Sequence, residues 1–240
     1  MPPHPGDYLE DLPRTGAGIR DDLTPPEAPP HSSLLGIADY REHLHRTFEH
    51  GTTANGVFGA KLMWRQLPEL QALAGELPEY IGLEPAELLR RLFGEPSYVW
   101  VTRRDKVRQA VSLWRALQTR SWRLGHAPGD DRPVELHYRF EGLDHLVRSL
   151  ETEDAAWAEF FVRYGLPALT VSYEDDLVHD HDGIVRRVLE YIGVRPPPGW
   201  HAAEPIKRQA DALSEDWVAA YHRDAQQRGA AAGAAATAGL

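Results

Sequence analysis

The fold is decided by the stretch Tyr98-Val99-Trp100-Val101-Thr102-Arg103-Arg104-Asp105 and by the residues that follow it, Lys106 to Trp114. The first part is an apolar run that favours a β-strand, and it ends in two basic residues. The second part has the spacing of an amphipathic helix and carries Ser112 about two turns beyond the strand. A strand that passes directly into a helix is a common phosphate site, so we predict that Arg103 and Ser112 bind a nucleotide phosphate.

Strands and helices alternate on both sides of this stretch. Apolar runs predict a short buried strand over 56–64, which delivers Lys61 near its carboxyl end in an inward-facing position, and another strand over 166–173. Helical spacing predicts helices over 38–50, 65–75, 85–93, 134–164 (one helix or two) and 183–193. Two more helices are predicted to begin near Arg104 and near Ser214. This order predicts an α/β fold with a parallel sheet flanked by helices, where ligands collect at the carboxyl ends of the strands.

Composition divides the chain into three regions. Residues 1–33 are rich in proline, glycine and acidic side chains, so we expect an irregular N-terminal arm. Residues 34–228 carry the alternating pattern and are expected to form one domain. Residues 229–240 are almost entirely glycine and alanine, which predicts a disordered tail.

The overall composition excludes several functional classes. With 42% hydrophobic and 26% charged residues the chain is an ordinary globular protein, and no apolar run approaches the roughly 20 residues that span a bilayer. The N-terminus lacks the features of a secretory signal, so we expect a cytoplasmic location and no membrane segment. The net charge of -10 argues against nucleic acid as a partner.

Metal and thiol chemistry are also not expected. Cysteine is absent, which excludes disulfides, thiolate nucleophiles and cysteine-ligated metals within this sequence. The 12 histidines include the pairs His43/His45 and His179/His181, but neither pair has carboxylate or cysteine partners at ligand spacing. We therefore expect no bound metal.

Several sequence blocks occur together in one order. They are Gly56–Trp64, Arg103–Arg115, Gln118-Thr119, Trp157–Phe161, Tyr173-Glu174 with Leu177, and Lys207–Trp217. This series resembles the bacterial trehalose sulfotransferase family, relatives of the wider sulfotransferases that use 3′-phosphoadenosine 5′-phosphosulfate (PAPS), and the resemblance covers roughly residues 4–227.

The resemblance implies a fold like that of nucleotide kinases and an activity, the transfer of a sulfuryl group to an alcohol. PAPS would be the donor, a hydroxyl of a carbohydrate or another small polar metabolite the acceptor, and adenosine 3′,5′-bisphosphate (PAP) the product, without a metal. A homodimer is also possible, on the basis of the resemblance alone.

The resemblance also implies roles for residues of the donor site. Arg103 and Ser112 match the pair that grips the 3′-phosphate, a task that suits the planar, two-pronged donor of arginine. Lys207 and Arg208 match a late basic segment that closes over the nucleotide. Tyr173 matches, more loosely, a tyrosine near the adenine.

Two further residues are candidates for the chemical step. The acceptor hydroxyl must lose its proton, and the segment His4–Leu9 places Asp7 where the family has a glutamate that serves as the base. Aspartate is one methylene shorter, so it must approach the hydroxyl more closely or act through water. Lys61 would stabilise the transferring group or orient the acceptor.

Each assignment has a plainer alternative. Arg103 could cap its strand or pair with Asp105, Ser112 could be a solvated helix serine, and Asp7 could be a solvated residue of a frayed terminus. Lys207 and Arg208 could be an ordinary exposed pair. Trp157 is expected in the core, whereas Trp114 and Trp122 could instead form walls of the acceptor site.

One part of the family pattern does not occur in the sequence. The resemblance implies a buried strand and a loop similar to Ser-Gln-Arg-Ser-Gly-Ser-Thr, which hold the 5′-phosphosulfate. The nearest counterpart, Arg14–Gly18, lacks a preceding apolar strand and is taken as chance. Three explanations account for this. The start of the sequence has been placed too late, the protein was cut before its first strand, or the protein is a degenerate relative that has lost the strand and loop. We favour a start that has been placed too late. The alternative function is a catalytically inactive nucleotide-binding or interaction protein derived from a sulfotransferase.

Overall fold

A computed structural model describes residues 40–119, 135–202 and 211–238. Its helices and strands in chain order are α1 (Tyr40–Gly51), α2 (Leu67–Ala74), α3 (Pro85–Phe93), β1 (Tyr98–Thr102), α4 (Lys106–Thr119), α5 (Phe140–Arg163), β2 (Ala168–Ser172), α6 (His181–Tyr191) and α7 (Ala212–Ala238). Single 3₁₀ turns at Trp64–Gln66 and Pro78–Tyr80 precede α2 and α3, and a π-helical turn at Tyr173–Leu177 follows β2.

The strands β1 and β2 lie side by side and run parallel. Parallel neighbours need a crossover connection, and here α4 and α5 supply it. The arrangement confirms the predicted α/β class with a parallel sheet and helices, and it places the residues that follow β1 next to those that follow β2.

The predicted strand over 56–64 is wrong. In its place the structure has one antiparallel bridge between Thr52 and Phe58, then an irregular segment that ends at the 3₁₀ turn of Trp64. The N–H of Gly56 donates to the Thr53 carbonyl at 2.9 Å, and Gly56 has a φ of 82°, which closes a tight turn where the strand was expected. Lys61 is consequently exposed on this segment rather than buried on a strand.

The chain folds into two compact units. The described residues of the first lie within Trp100–Thr152 and Thr170–Leu240. Its core joins α4, the first half of α5 and α7, through Val111, Trp114, Leu143 and Trp217 among others. Trp114 has no exposed surface, and its indole N–H donates to the His137 carbonyl at 2.9 Å, so it is a core residue and not a wall of the acceptor site.

The second unit has its described residues within Pro25–Val99 and Glu153–Leu169. Leu67, Leu89 and Phe160 form one core cluster, against which Trp64 and Trp157 pack. The rings of Trp64 and Trp157 pack edge to face, with their centroids 5.1 Å apart. Trp157 is therefore half-buried against the core, on the side the sequence predicted but not fully enclosed.

The last helix extends further than the sequence predicted. Trp217, Val218 and Tyr221 bury the first turns of α7, and the helix then continues to Ala238 through the glycine- and alanine-rich end. Most of the tail predicted as disordered is thus helical, in keeping with the high helix propensity of alanine. The expected arm of residues 1–33 lies outside the described residues.

Candidate functional site

Arg103 and Tyr173 follow the two parallel strands directly, and they are in contact. The Arg103 guanidinium lies over the Tyr173 ring, with its central carbon 4.4 Å from the ring centroid. This geometry is a cation–π interaction, which an arginine forms readily with its flat face. The structure therefore brings together two residues of the predicted donor site that are far apart in the sequence.

Glu174 organises the turn that follows β1. Its carboxylate accepts hydrogen bonds from the backbone N–H groups of Arg104 at 3.0 Å and Asp105 at 3.3 Å. Partial burial alone would raise the pKa of Glu174, but these N–H donors and the nearby Arg103 charge outweigh it and lower the pKa. Glu174 is thus held as an anion that ties the end of β1 to the end of β2.

Arg103 has one hydrogen-bond donor that its surroundings do not use. Its Nε atom lies 3.5 Å from Oε1 of Glu174, close enough for charge attraction, but it is buried and has no hydrogen-bond partner among the described residues. Buried donors are nearly always hydrogen-bonded in folded proteins. The alternative that Arg103 pairs with Asp105 is not what the structure shows, because among the described residues Arg103 forms its ion pair with Glu174 and Asp105 forms one with Arg108.

Asp105 begins α4. One of its carboxylate oxygens accepts the Arg108 N–H at 2.8 Å and the other accepts Arg108 Nη1 at 2.8 Å. Burial would raise the pKa of Asp105, but the bonds from Arg108 lower it overall. A charged carboxylate at this position complements the positive end of the helix dipole.

Ser112 is exposed on the polar side of α4. Ala110, Val111 and Trp114 form the buried side of the helix, as the predicted apolar stripe requires. Arg108 and Arg115 lie one turn before and one turn after Ser112, so the three side chains share a face. Ser112 therefore lies on a face rich in arginine.

The other predicted site residues lie elsewhere. Lys61 belongs to the second unit, where it is exposed on the irregular segment before the Trp64 turn. Asp7, Lys207, Arg208 and Trp122 are outside the described residues. Within 40–119, 135–202 and 211–238, no group of three or more histidine and acidic side chains could hold a metal ion, and no helix is long and apolar enough to cross a membrane.

Two residues of this region had no role in the sequence prediction. Glu174 is the anion that fixes the turn, and Arg104 offers a second guanidinium that is 67% exposed and pairs with Asp175 at 2.7 Å. The Arg103-Arg104 doublet and the glutamate after Tyr173 were visible as sequence signals. Their partners were not visible in the sequence, because these contacts join the segments that follow two different strands.

Comparisons with known proteins agree on one family. A model of the family described as Stf0 sulphotransferase matches residues 23–224. A trehalose 2-sulfotransferase of Mycobacterium tuberculosis (strain ATCC 35801 / TMC 107 / Erdman) is 34% identical over 239 residues, which cover 94% of this chain and 86% of that protein. A trehalose 2-sulfotransferase of Mycolicibacterium smegmatis (strain ATCC 700084 / mc(2)155) is 36% identical over 181 residues, covering 75% of this chain and 66% of that protein.

Proposed function

The chain belongs to the Stf0 sulphotransferase family, and from that membership we propose that it uses PAPS as donor and trehalose or a closely related disaccharide as acceptor. The family resemblance predicted from the ordered motifs is confirmed. The predicted class of activity, sulfuryl transfer to a carbohydrate hydroxyl by an enzyme, is confirmed as well.

The observation that carries the donor assignment is the state of Arg103. Its guanidinium is held by Tyr173 and Glu174, its side chain is only 19% exposed, and its Nε has no hydrogen-bond partner among the described residues. A partly exposed guanidinium held in a fixed position at the ends of two parallel strands fits a phosphate, which offers several acceptor oxygens. We assign Arg103 and Ser112 to the 3′-phosphate, the group that separates PAPS from a nucleotide with phosphate only on its 5′ side.

Tyr173 has a different part in this proposal from the one the sequence indicated. Its ring supports the guanidinium of Arg103, which is a contact of the protein with itself rather than with adenine. Tyr173 would thus act on the nucleotide through Arg103. Lys207 and Arg208 remain proposed contacts of the nucleotide on the strength of the sequence resemblance.

The transfer itself replaces one sulfur–oxygen bond by another. The bond from sulfur to the 5′-phosphate oxygen breaks, a bond from sulfur to the sugar oxygen forms, and the hydroxyl proton goes to a base. PAP leaves with the bridging oxygen. We propose Asp7 as the base on the sequence resemblance. Lys61 receives no part in this step, because the buried strand that was expected to carry it is an irregular segment on which Lys61 is exposed.

The acceptor proposal comes from the relatives. Both proteins reported above are described as trehalose 2-sulfotransferases, and one of them aligns over 94% of this chain. A disaccharide presents many similar hydroxyls, so selection among them requires side chains that each hydrogen-bond one position. Trehalose is therefore the first acceptor to test, and its 2-hydroxyl the first position.

Sulfuryl transfer tests this proposal directly. Purified protein incubated with PAPS and trehalose should give a trehalose monosulfate and an equal amount of PAP, both measured by mass spectrometry. Asp7→Asn should lower kcat by about 10²–10⁴-fold with little change in PAP binding, since a general base acts on the reaction rather than on the nucleotide. Rapid transfer to metabolites that are not disaccharides, with none to trehalose or related disaccharides, would overturn the acceptor assignment, and full activity of Asp7→Asn would overturn the base.

A further inference from the structure

The carboxylate of Glu174 holds the turn between β1 and α4 at three points. It accepts the backbone N–H groups of Arg104 at 3.0 Å and Asp105 at 3.3 Å, and its Oε1 atom lies 3.5 Å from Nε of Arg103. Hydrogen bonds to an ionised acceptor are stronger than those between neutral groups. Glu174 therefore fixes the backbone that follows Arg103 and attracts the Arg103 side chain at the same time.

The two arginines of this turn have carboxylate partners in different surroundings. The side chains of Arg103 and Glu174 are 19% and 25% exposed, whereas those of Arg104 and Asp175 are 67% and 54% exposed. Water and salt screen an exposed ion pair, so its net contribution is small. Of the two carboxylates, Glu174 is therefore the one whose charge can hold an arginine in place.

Glu174 and Tyr173 restrain Arg103 in different ways. The Tyr173 ring lies against the flat face of the guanidinium, and Oε1 of Glu174 faces the Nε atom. A stacked ring opposes movement of the guanidinium away from the ring, but it leaves the group free to turn within its own plane. A negative charge beside Nε opposes that turning, because it favours one direction for this atom. Glu174 thus supplies the part of the orientation that the ring does not.

We infer that Glu174 is a positioning residue for the donor nucleotide, whose charge fixes the direction in which Arg103 presents its guanidinium to the 3′-phosphate. The inference rests on the proposed assignment of Arg103 to that phosphate. Glu174 acts through Arg103 and does not bind the nucleotide, since a carboxylate and a phosphate repel each other. Loss of its charge therefore weakens recognition of the 3′-phosphate and leaves the rest of the nucleotide unaffected.

Asp176 in the same π-helical turn is a matched control. Its carboxylate also accepts a backbone N–H, that of Ser172 at 2.7 Å, and it also pairs with an arginine, Arg187 at 2.9 Å. These two partners belong to β2 and α6. Asp176→Asn therefore removes one carboxylate charge with the same kinds of contact from the same turn, on the side of β2 and α6.

The test measures how tightly a set of variants binds two nucleotides. Dissociation constants for PAP and for adenosine 5′-monophosphate are determined by calorimetry with wild type, Glu174→Gln, Glu174→Asp, Asp176→Asn, Arg103→Ala and the double variant Arg103→Ala/Glu174→Gln. Glutamine keeps the size of the side chain and removes its charge, whereas aspartate keeps the charge on a shorter side chain. Melting temperatures report on folding.

Glu174→Gln should weaken PAP binding about tenfold, the lower end for a lost hydrogen bond to a charged group. Glu174→Asp should lose less, Asp176→Asn should bind PAP as wild type does, and binding of adenosine 5′-monophosphate should change little in all three. The double variant should bind PAP about as weakly as Arg103→Ala alone, because a residue that acts through Arg103 has no further effect once Arg103 is gone.

Separate results would overturn the donor site and the role of Glu174. If wild type binds both nucleotides equally, the proposed donor site fails. If wild type prefers PAP, the positioning role fails when Glu174→Gln keeps that preference, when both nucleotides weaken together, or when the double variant loses a further tenfold relative to Arg103→Ala. Tighter PAP binding by Glu174→Gln would also overturn it, because Glu174 would then compete with the phosphate rather than support Arg103.

Discussion

Arg103 is held in place by contacts that leave one of its own donors unused. Tyr173 supports its flat face at 4.4 Å and Glu174 supplies the opposite charge. The sequence was sufficient to predict Arg103, because a basic residue at the end of an apolar run is a local pattern. It could not predict the stack with Tyr173, since that contact depends on β1 and β2 being neighbours. The proposed role of Tyr173 changed for this reason.

The stack leads to a prediction about the Tyr173 ring. Tyr173→Phe keeps the aromatic face and should bind PAP nearly as wild type does. Tyr173→Ala removes that face and should weaken PAP binding by about 0.5–2 kcal/mol, the range of a cation–π interaction. Calorimetry with PAP measures both. Equal losses in the two variants would show that the hydroxyl matters and that support of Arg103 is not the role of Tyr173.

At the scale of elements, the sequence predicted the helices and strands with a long, regular apolar pattern correctly. It mispredicted an element where that pattern was short. The helices α3 and α4 and the strand β1 lie within a few residues of their predicted positions, because each combines an apolar periodicity with clear end signals. The strand predicted over 56–64 does not form, because Gly56 closes a turn and only Phe58 takes part in a β-bridge. A short run with several small residues does not by itself specify a strand.

The close approach of α5 to Trp114 leads to a prediction about Gly142. A Cβ atom at Gly142 would lie 2.6 Å from the Trp114 ring, which is buried and has no room to move aside. Gly142→Ala should therefore destabilise the fold by about 1–3 kcal/mol in denaturant unfolding, the usual effect of overpacking. The control is Gly229→Ala on α7, where nothing lies within 4 Å. An unchanged stability of Gly142→Ala would contradict the packing described.

At the scale of the whole molecule, the family was predictable and the assembly of the site was not. Ordered motifs spread over the chain identified the sulfotransferase lineage, because each motif is local and their order is visible in sequence. The ion pair of Arg115 with Asp211 joins residues 96 positions apart. Such a contact follows from the packing of α4 against α7, which no local pattern contains.

The most direct test of the proposed donor site is the preference for PAP over adenosine 5′-monophosphate, measured as the ratio of their dissociation constants in wild type and Arg103→Ala. Wild type should prefer PAP clearly, and Arg103→Ala should lose about 1.5–3 kcal/mol of PAP binding, the value of a hydrogen bond to a charged group, with little change for the monophosphate. Ser112→Ala should show a smaller loss in the same direction. Equal affinity of wild type for the two nucleotides, or an unchanged preference in Arg103→Ala, would contradict the assignment of Arg103 to the 3′-phosphate.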